Sequence, residues 1–232
     1  MKVFLIRHGQ SANNALDDAA LRTHDPLLTE TGEKQAAIVG PFVAAGGHLS
    51  LAERQNGRPY LDQLYCSPMI RTLQTVQPIG QALGIAPEVW ADIHEQGGLF
   101  LDHGEEGGIE SFPGQSRSQI LAQFPNYILP AEIGEDGWWN KGFEEVHLCH
   151  GRAIKVARTL HQRAAEDRRV GLVVHGGFMN ALLKALGHQL PGDGRDYHHS
   201  NTAITRVDLQ PGGQADFRYM NRVHHLPDEL IT

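Results

Sequence analysis

The sequence predicts an α/β protein, a three-layer α/β/α sandwich on a mostly parallel sheet with an inserted cap segment. Three observations predict it. Short aliphatic runs at Val3–Ile6, Leu61–Cys66 and Val170–Val174 have the length and composition of strands buried on both faces. Stretches of helical period lie between them. The alternation of the two kinds then requires helices on both faces of one sheet.

The elements follow in order. After the first strand, Thr29 is placed to cap a helix whose apolar positions include Ala36, Ala37, Val39 and Val43. Ile70–Leu83 and His150–Ala165 read as amphipathic helices, the second closing on the polar run Glu166–Arg169. Phe178–Leu186 is a short helix ending at Gly187. Thr202–Leu209 alternates as a strand, Pro211-Gly212-Gly213 turns, and Asp216–Met220 returns as an edge strand. The segment Gly97–Phe143 breaks this rhythm with glycine, proline and aromatics, and is expected to be a helical or irregular cap. No linker separates domains, so residues 1–232 are expected to form one domain with a cap at about 97–143.

Composition narrows the function. A formal charge of −7 argues against nucleic acid or an anionic membrane as the main partner, so any anion site must concentrate positive groups locally. No run approaches the ~18 apolar residues of a membrane span, and Arg7-His8 interrupts the N-terminal apolar run too early for a signal peptide. The two cysteines, Cys66 and Cys149, form no metal clip or disulfide framework. A cytoplasmic setting is expected, and the oligomeric state is left open.

Two of the predicted strands end alike, in Arg7-His8-Gly9 and in His175-Gly176-Gly177. Ligands of open α/β sheets sit at the carboxyl ends of the strands, so both imidazoles belong on that edge. The glycines let backbone N–H groups approach an anion. The third strand ends in Ser67-Pro68-Met69-Ile70-Arg71, where Pro68 suits an early helix position and Arg71 falls in the first turn. Arg7 and Arg71 together make a fork for a tetrahedral oxyanion. Any one of the 14 histidines is more often structural than catalytic, but these strand ends act jointly.

Other chemistries fit poorly. Arg71 lies too close to Cys66 for a cysteine phosphatase loop, and neither a Walker motif nor a G-x-S-x-G elbow occurs. No metal or cofactor is expected, because the neighbouring pairs His198-His199 and His224-His225 would point apart on a strand.

The motifs "LIRHGQSANN", "HDPLLTETGEKQA", "CSPMIRTLQT" and "VVHGGFMNALL" occur in an order that resembles the histidine phosphatase superfamily, phosphoglycerate mutase-like in fold. The resemblance implies a phosphohistidine on His8, with Arg7, Arg71 and His175 holding the phosphoryl oxygens and Asn14 and Gly176 contacting the phosphate. It also implies an acid that protonates the leaving oxygen: Glu95 in "DIHEQGGLF", with Asp92 as the rival. A mutase must grip a second phosphate, whereas Asp102, Glu105 and Glu106 follow Glu95 here and no Lys or Arg occurs between Glu95 and Arg117. Hydrolysis of a small phosphorylated substrate is therefore expected ahead of mutase-type transfer or an inactive phospho-ligand module. Phe112, Trp138 and Trp139 either pack on an apolar leaving group or form the cap's own core.

Overall fold

The structure, a computed structural model, describes residues 1–192 and 194–232. Its elements are β1 (Lys2–Arg7), α1 (Glu30–Ala44), α2 (Leu51–Arg54), β2 (Gln63–Cys66), α3 (Ile70–Leu83) and β3 (Glu88–Val89). A second group follows as β4 (Phe100–Asp102), α4 (Gly104–Gly107), β5 (Ile109–Ser111) and α5 (Arg117–Gln123). The chain closes with α6 (Val146–Gln162), β6 (Arg169–Val174), α7 (Gly176–Leu186), β7 (Ile204–Leu209) and β8 (Ala215–Arg222).

Side chains on a strand alternate between faces, and β1 shows what that does here. Phe4 and Ile6 pack with Val39 and Val43 of α1 and Leu73 and Val76 of α3. Val3 and Leu5 pack on the opposite face with Val156 and Leu160 of α6 and Phe178 and Leu182 of α7. One strand thus feeds two cores, each fully buried aliphatic side chain contributing about 1.5–3 kcal/mol. The result is the expected α/β/α sandwich.

The six-stranded sheet runs β3-β2-β6-β1-β7-β8. β3, β2, β6 and β1 are mutually parallel, while β7 is antiparallel to both β1 and β8. The register aligns Arg7 with Val174 and Cys66 with Val173. The ladder continues one residue further, His8 N–H donating to Val174 O at 2.9 Å and Ser67 N–H to Val173 O at 3.2 Å. Three strands therefore release His8, Ser67 and His175 side by side at one sheet edge.

Several expectations change. The 97–143 segment contains an antiparallel hairpin, β4–β5, besides α4 and α5. α6 begins at Val146, four residues before the expected start, and α7 begins at Gly176. Pro68 lies before the cap residue Met69 and outside α3, although Arg71 does fall in the first turn. Among the described residues no helix is long and apolar enough to cross a membrane.

The turn after β1 depends on two glycines. A Cβ on Gly9 would lie 2.6 Å from Gly32 O, and one on Gly32, in α1, would collide with the Gln10 carbonyl. The helix and the loop behind His8 touch backbone to backbone. Gly32→Ala is expected to cost about 1–3 kcal/mol through overpacking and to depress any activity that needs His8. Urea unfolding of the variant beside the parent measures the cost.

Candidate active site

A cleft at the carboxyl edge of the sheet is lined by Arg7, His8, Asn14, Arg22, Arg71, Glu95, Phe100, Gly176 and neighbouring residues. His8 is 3% exposed. Its Nδ1 lies 2.6 Å from Gly9 O, so that nitrogen carries the proton and donates it to the carbonyl. Nε2 is left as the unprotonated nitrogen, and it accepts a long bond of 3.3 Å from Arg71 Nε–H. Both contacts select the same neutral tautomer. Burial, then Arg71 and Arg7, depress the imidazole's pKa well below its ordinary value. His8 is expected to stay neutral at pH 6.5, where a free imidazole is about half charged; its ring nitrogen NMR shifts on titration measure this.

The loop carrying His8 is held from several elements. Gly9 N–H donates to Thr75 Oγ1 at 3.0 Å, and Gln10 N–H to Oε1 of the buried Gln35 at 2.7 Å. Asn201 Nδ2 donates to His8 O at 2.9 Å. Thr202 N–H donates to Arg7 O at 3.1 Å from a residue with φ of 55°, an uncommon conformation for a β-branched side chain.

The second histidine is equally enclosed. His175 Nε2 lies 2.8 Å from Ser67 Oγ, which also accepts from Met69 N–H at 3.2 Å. Its Nδ1 is buried with no partner among the described residues, and the His8 and His175 ring centroids are 5.2 Å apart. Burial, then Arg71 and His8, again favour the neutral ring.

The guanidinium groups complete the floor. Arg7 Nη1 donates to His199 O at 2.5 Å, while its Nε is buried with no partner among the described residues. Arg71 Nη1 lies 3.7 Å from Asp25 Oδ1, and Asp25 also accepts from Ile70 N–H. Burial pushes the Asp25 carboxyl up to about 6, with Arg71 and Ile70 opposing it. Arg7, Arg71 and His8 thus line a small polar space, while His175, fully buried beside His8, lies behind that lining.

Glu95 enters from the other wall. Its carboxylate accepts N–H bonds from Gly177 at 3.1 Å and Phe178 at 2.7 Å, the first turn of α7, and from Gln96 at 2.9 Å. Asp92 points elsewhere and pairs with Lys155 Nζ at 2.7 Å. Asn14 lines the cleft, but its Oδ1 is engaged by Ser11 N–H, Ser11 Oγ and Asn201 Nδ2, so only its Nδ2 end remains for an oxyanion. Gly176 lines the cleft beside Arg7 Nε.

The aromatics of the 97–143 segment divide. Trp138 and Trp139 are buried in the core shared by α1 and α3, and Gly98, with φ of 74°, makes room for the Trp139 ring. Neither tryptophan lines the cleft; Phe100 does, its ring meeting Phe143 edge-on at 4.7 Å. Phe112 stacks on His24 at 4.0 Å. Cys66 is fully buried, which pushes its thiol pKa up, and it takes no part in the cleft.

Sequence reasoning missed Arg22, Ser67, Thr75 and Asn201. Ser67 directly follows a strand that was identified, and its position was the available signal. Arg22 is an isolated base in a polar loop, and nothing in its spacing distinguishes it.

Residues 3–222 match the sequence profile of the histidine phosphatase superfamily (branch 1). A probable phosphatase, C1687.21, of Schizosaccharomyces pombe is 29% identical over 177 residues, 68% of this chain and 72% of that protein. The probable phosphoglycerate mutase GpmB of Yersinia enterocolitica is 25% identical over 210 residues, 90% and 86% of the two chains. The PE-PGRS family protein PE_PGRS11 of Mycobacterium tuberculosis is 34% identical over 98 residues, 42% of this chain, and the match spans 15% of that protein. Among solved structures, a phosphoserine phosphatase from Entamoeba histolytica in complex with phosphoserine shares the fold. Its TM-score is 0.62 at 20% identity, covering 97% of this chain and 99% of that one.

Proposed function

The chain belongs to the histidine phosphatase superfamily, and from that membership and the chemistry of the cleft we propose that it hydrolyses small phosphomonoesters through a phosphohistidine on His8. One observation carries the reading: His8 Nδ1–H is committed to Gly9 O, which leaves the Nε2 lone pair beside Arg71 in the cleft. Nε2 attacks phosphorus as the bond to the ester oxygen breaks, and Glu95 gives that oxygen its proton. Water then attacks phosphorus, the P–N bond breaks, Glu95 takes a proton back, and inorganic phosphate leaves.

Arg7, Arg71, His175 and the Nδ2 of Asn14 hold the equatorial oxygens, with the Gly176 backbone alongside. Charge stabilisation comes from guanidinium groups placed before the reaction starts, so no metal is needed. We read the whole chain as one histidine phosphatase domain, with 97–143 as a cap that contributes Phe100 to the leaving-group side of the cleft.

Hydrolysis is preferred over mutase-type transfer because of what surrounds that side. Among the described residues lining the cleft, Arg22 is the single cation besides Arg7 and Arg71. The adjoining hollow is lined by Arg22 together with Asp102 and His103 of the hairpin. A second phosphate dianion would meet one guanidinium and an acidic hairpin.

The test is turnover of an aryl phosphate with a chelator present. Steady release of inorganic phosphate supports the proposal. Loss of turnover on chelation, restored by a divalent cation, would reject the metal-free scheme. Phosphate affinity with no turnover across a panel of esters would favour a binding module.

A further inference from the structure

Glu95 is fixed by the backbone on both sides of it, and one buried ion pair ties both sides together. Arg152, on α6, directs Nη1 to the carbonyls of Asp92 and His94, each at 2.9 Å. Its Nε and Nη2 grip Glu144 at 2.8 and 2.5 Å, the two-pronged geometry that suits a guanidinium to a carboxylate. Glu144 in turn donates its backbone N–H to Gly97 O at 3.1 Å. The residue before Glu95 and the glycine two residues after it are therefore both anchored to the same pair.

A third contact reaches the opposite wall. The Arg152 guanidinium lies 4.6 Å over the Phe178 ring, and Phe178 N–H is the 2.7 Å donor to Glu95 Oε1. The pair is well shielded, with Arg152 and Glu144 side chains 9% and 8% exposed. Removing an ion pair from water is costly, and an apolar pair of similar volume would fill the space at less expense. Burial pushes the Glu144 carboxyl up, but Arg152 and the His94 imidazole 3.6 Å away outweigh it and bring it down to about 2. The pair thus stays charged throughout the neutral range.

We propose that Arg152, locked by Glu144, is a positioning residue that sets where Glu95 meets the leaving oxygen. This rests on the reading of Glu95 as proton donor. It follows from how steeply proton transfer depends on placement, a displacement of about 1 Å costing on the order of a hundredfold. Arg152 touches no substrate in this scheme; it acts through the 92–97 backbone and Phe178.

The test compares an alkyl phosphate, whose leaving oxygen needs the proton, with an activated aryl phosphate, whose leaving group departs as an anion. Arg152→Met is expected to lower kcat/KM for the alkyl ester by about ten- to a hundredfold, and for the aryl ester far less. Arg152→Lys, which keeps the charge but cannot fork to both carbonyls, should recover part of the loss. If the methionine variant does not fold, Arg152→Lys and Glu144→Gln carry the comparison, with the same alkyl selectivity at smaller amplitude. In a Glu95→Gln background, Arg152→Lys should add nothing to the alkyl loss, since both act on one step.

Equal losses on the two esters would make Arg152 a merely structural residue and overturn the proposal. An alkyl-selective loss in Glu95→Gln without one in the Arg152 and Glu144 variants would overturn it while leaving Glu95 as the donor. No alkyl selectivity in Glu95→Gln itself would remove the donor reading and the proposal with it.

Discussion

Replacing His8 with alanine is expected to lower kcat for an aryl phosphate by roughly four orders of magnitude or more. The size follows from the proposed role: in that scheme the imidazole is the covalent route, and without it the arginines would only hold the ester. The substitution should leave the fold intact, because Asn201 and Thr202 bind the backbone of this position rather than its side chain. Steady-state kinetics beside a thermal melt separates the two effects. A variant that keeps its melting behaviour and a tenth of its rate would contradict the assignment.

Arg71→Ala is expected to lower kcat/KM by about 10²–10³, the usual cost of one preorganised donor to a developing charge. Inorganic phosphate should also inhibit the variant more weakly. Arg71→Lys should restore little, since an ammonium cannot present the planar fork that faces both Asp25 and His8. A second consequence falls on stability. Asp25, with a carboxyl at about 6, takes up a proton in the folded state at a pH where the unfolded chain is still ionised. Its burden is therefore greatest above pH 6 and is relieved as pH falls through 6 toward the ordinary carboxylate range. Without Arg71 that carboxyl rises further, so the variant should gain stability on acidification from a higher pH than the parent. Denaturation midpoints from pH 5 to 8 read this out.

The parts legible in the sequence were those whose chemistry is local. β1 and β6 are buried on both faces, so they read as uninterrupted aliphatic runs, and the residues directly after them had to emerge at one edge. Arg7, His8, Arg71 and His175 could be grouped for that reason. The β4–β5 hairpin was not legible, because its three-residue strands are largely exposed and flanked by glycines, without a buried face to impose alternation. The start of α6 was hidden by the exposed apolar Val146 and Leu148, which break the expected stripe.

The supporting residues of the cleft were illegible for a different reason. Gln35, Asn201 and Arg152 are polar side chains brought to the site by packing of distant segments, and a buried polar residue leaves no periodic trace. Thr232 shows how far this reaches: its hydroxyl donates to Asn201 Oδ1 and accepts from Gln35 Nε2, behind the His8 loop. Trp138 and Trp139 illustrate the converse, two conspicuous aromatics whose work lies in the core.

The central claim is a covalent phosphate on one nitrogen of one residue, and rapid quenching tests it most directly. Mixing the enzyme with a ³²P-labelled phosphomonoester and stopping in alkali should trap protein-bound phosphate that is stable to base, released by acid, and absent from His8→Ala. A substrate turned over at full rate with no such species, or with label surviving in the His8 variant, would contradict it.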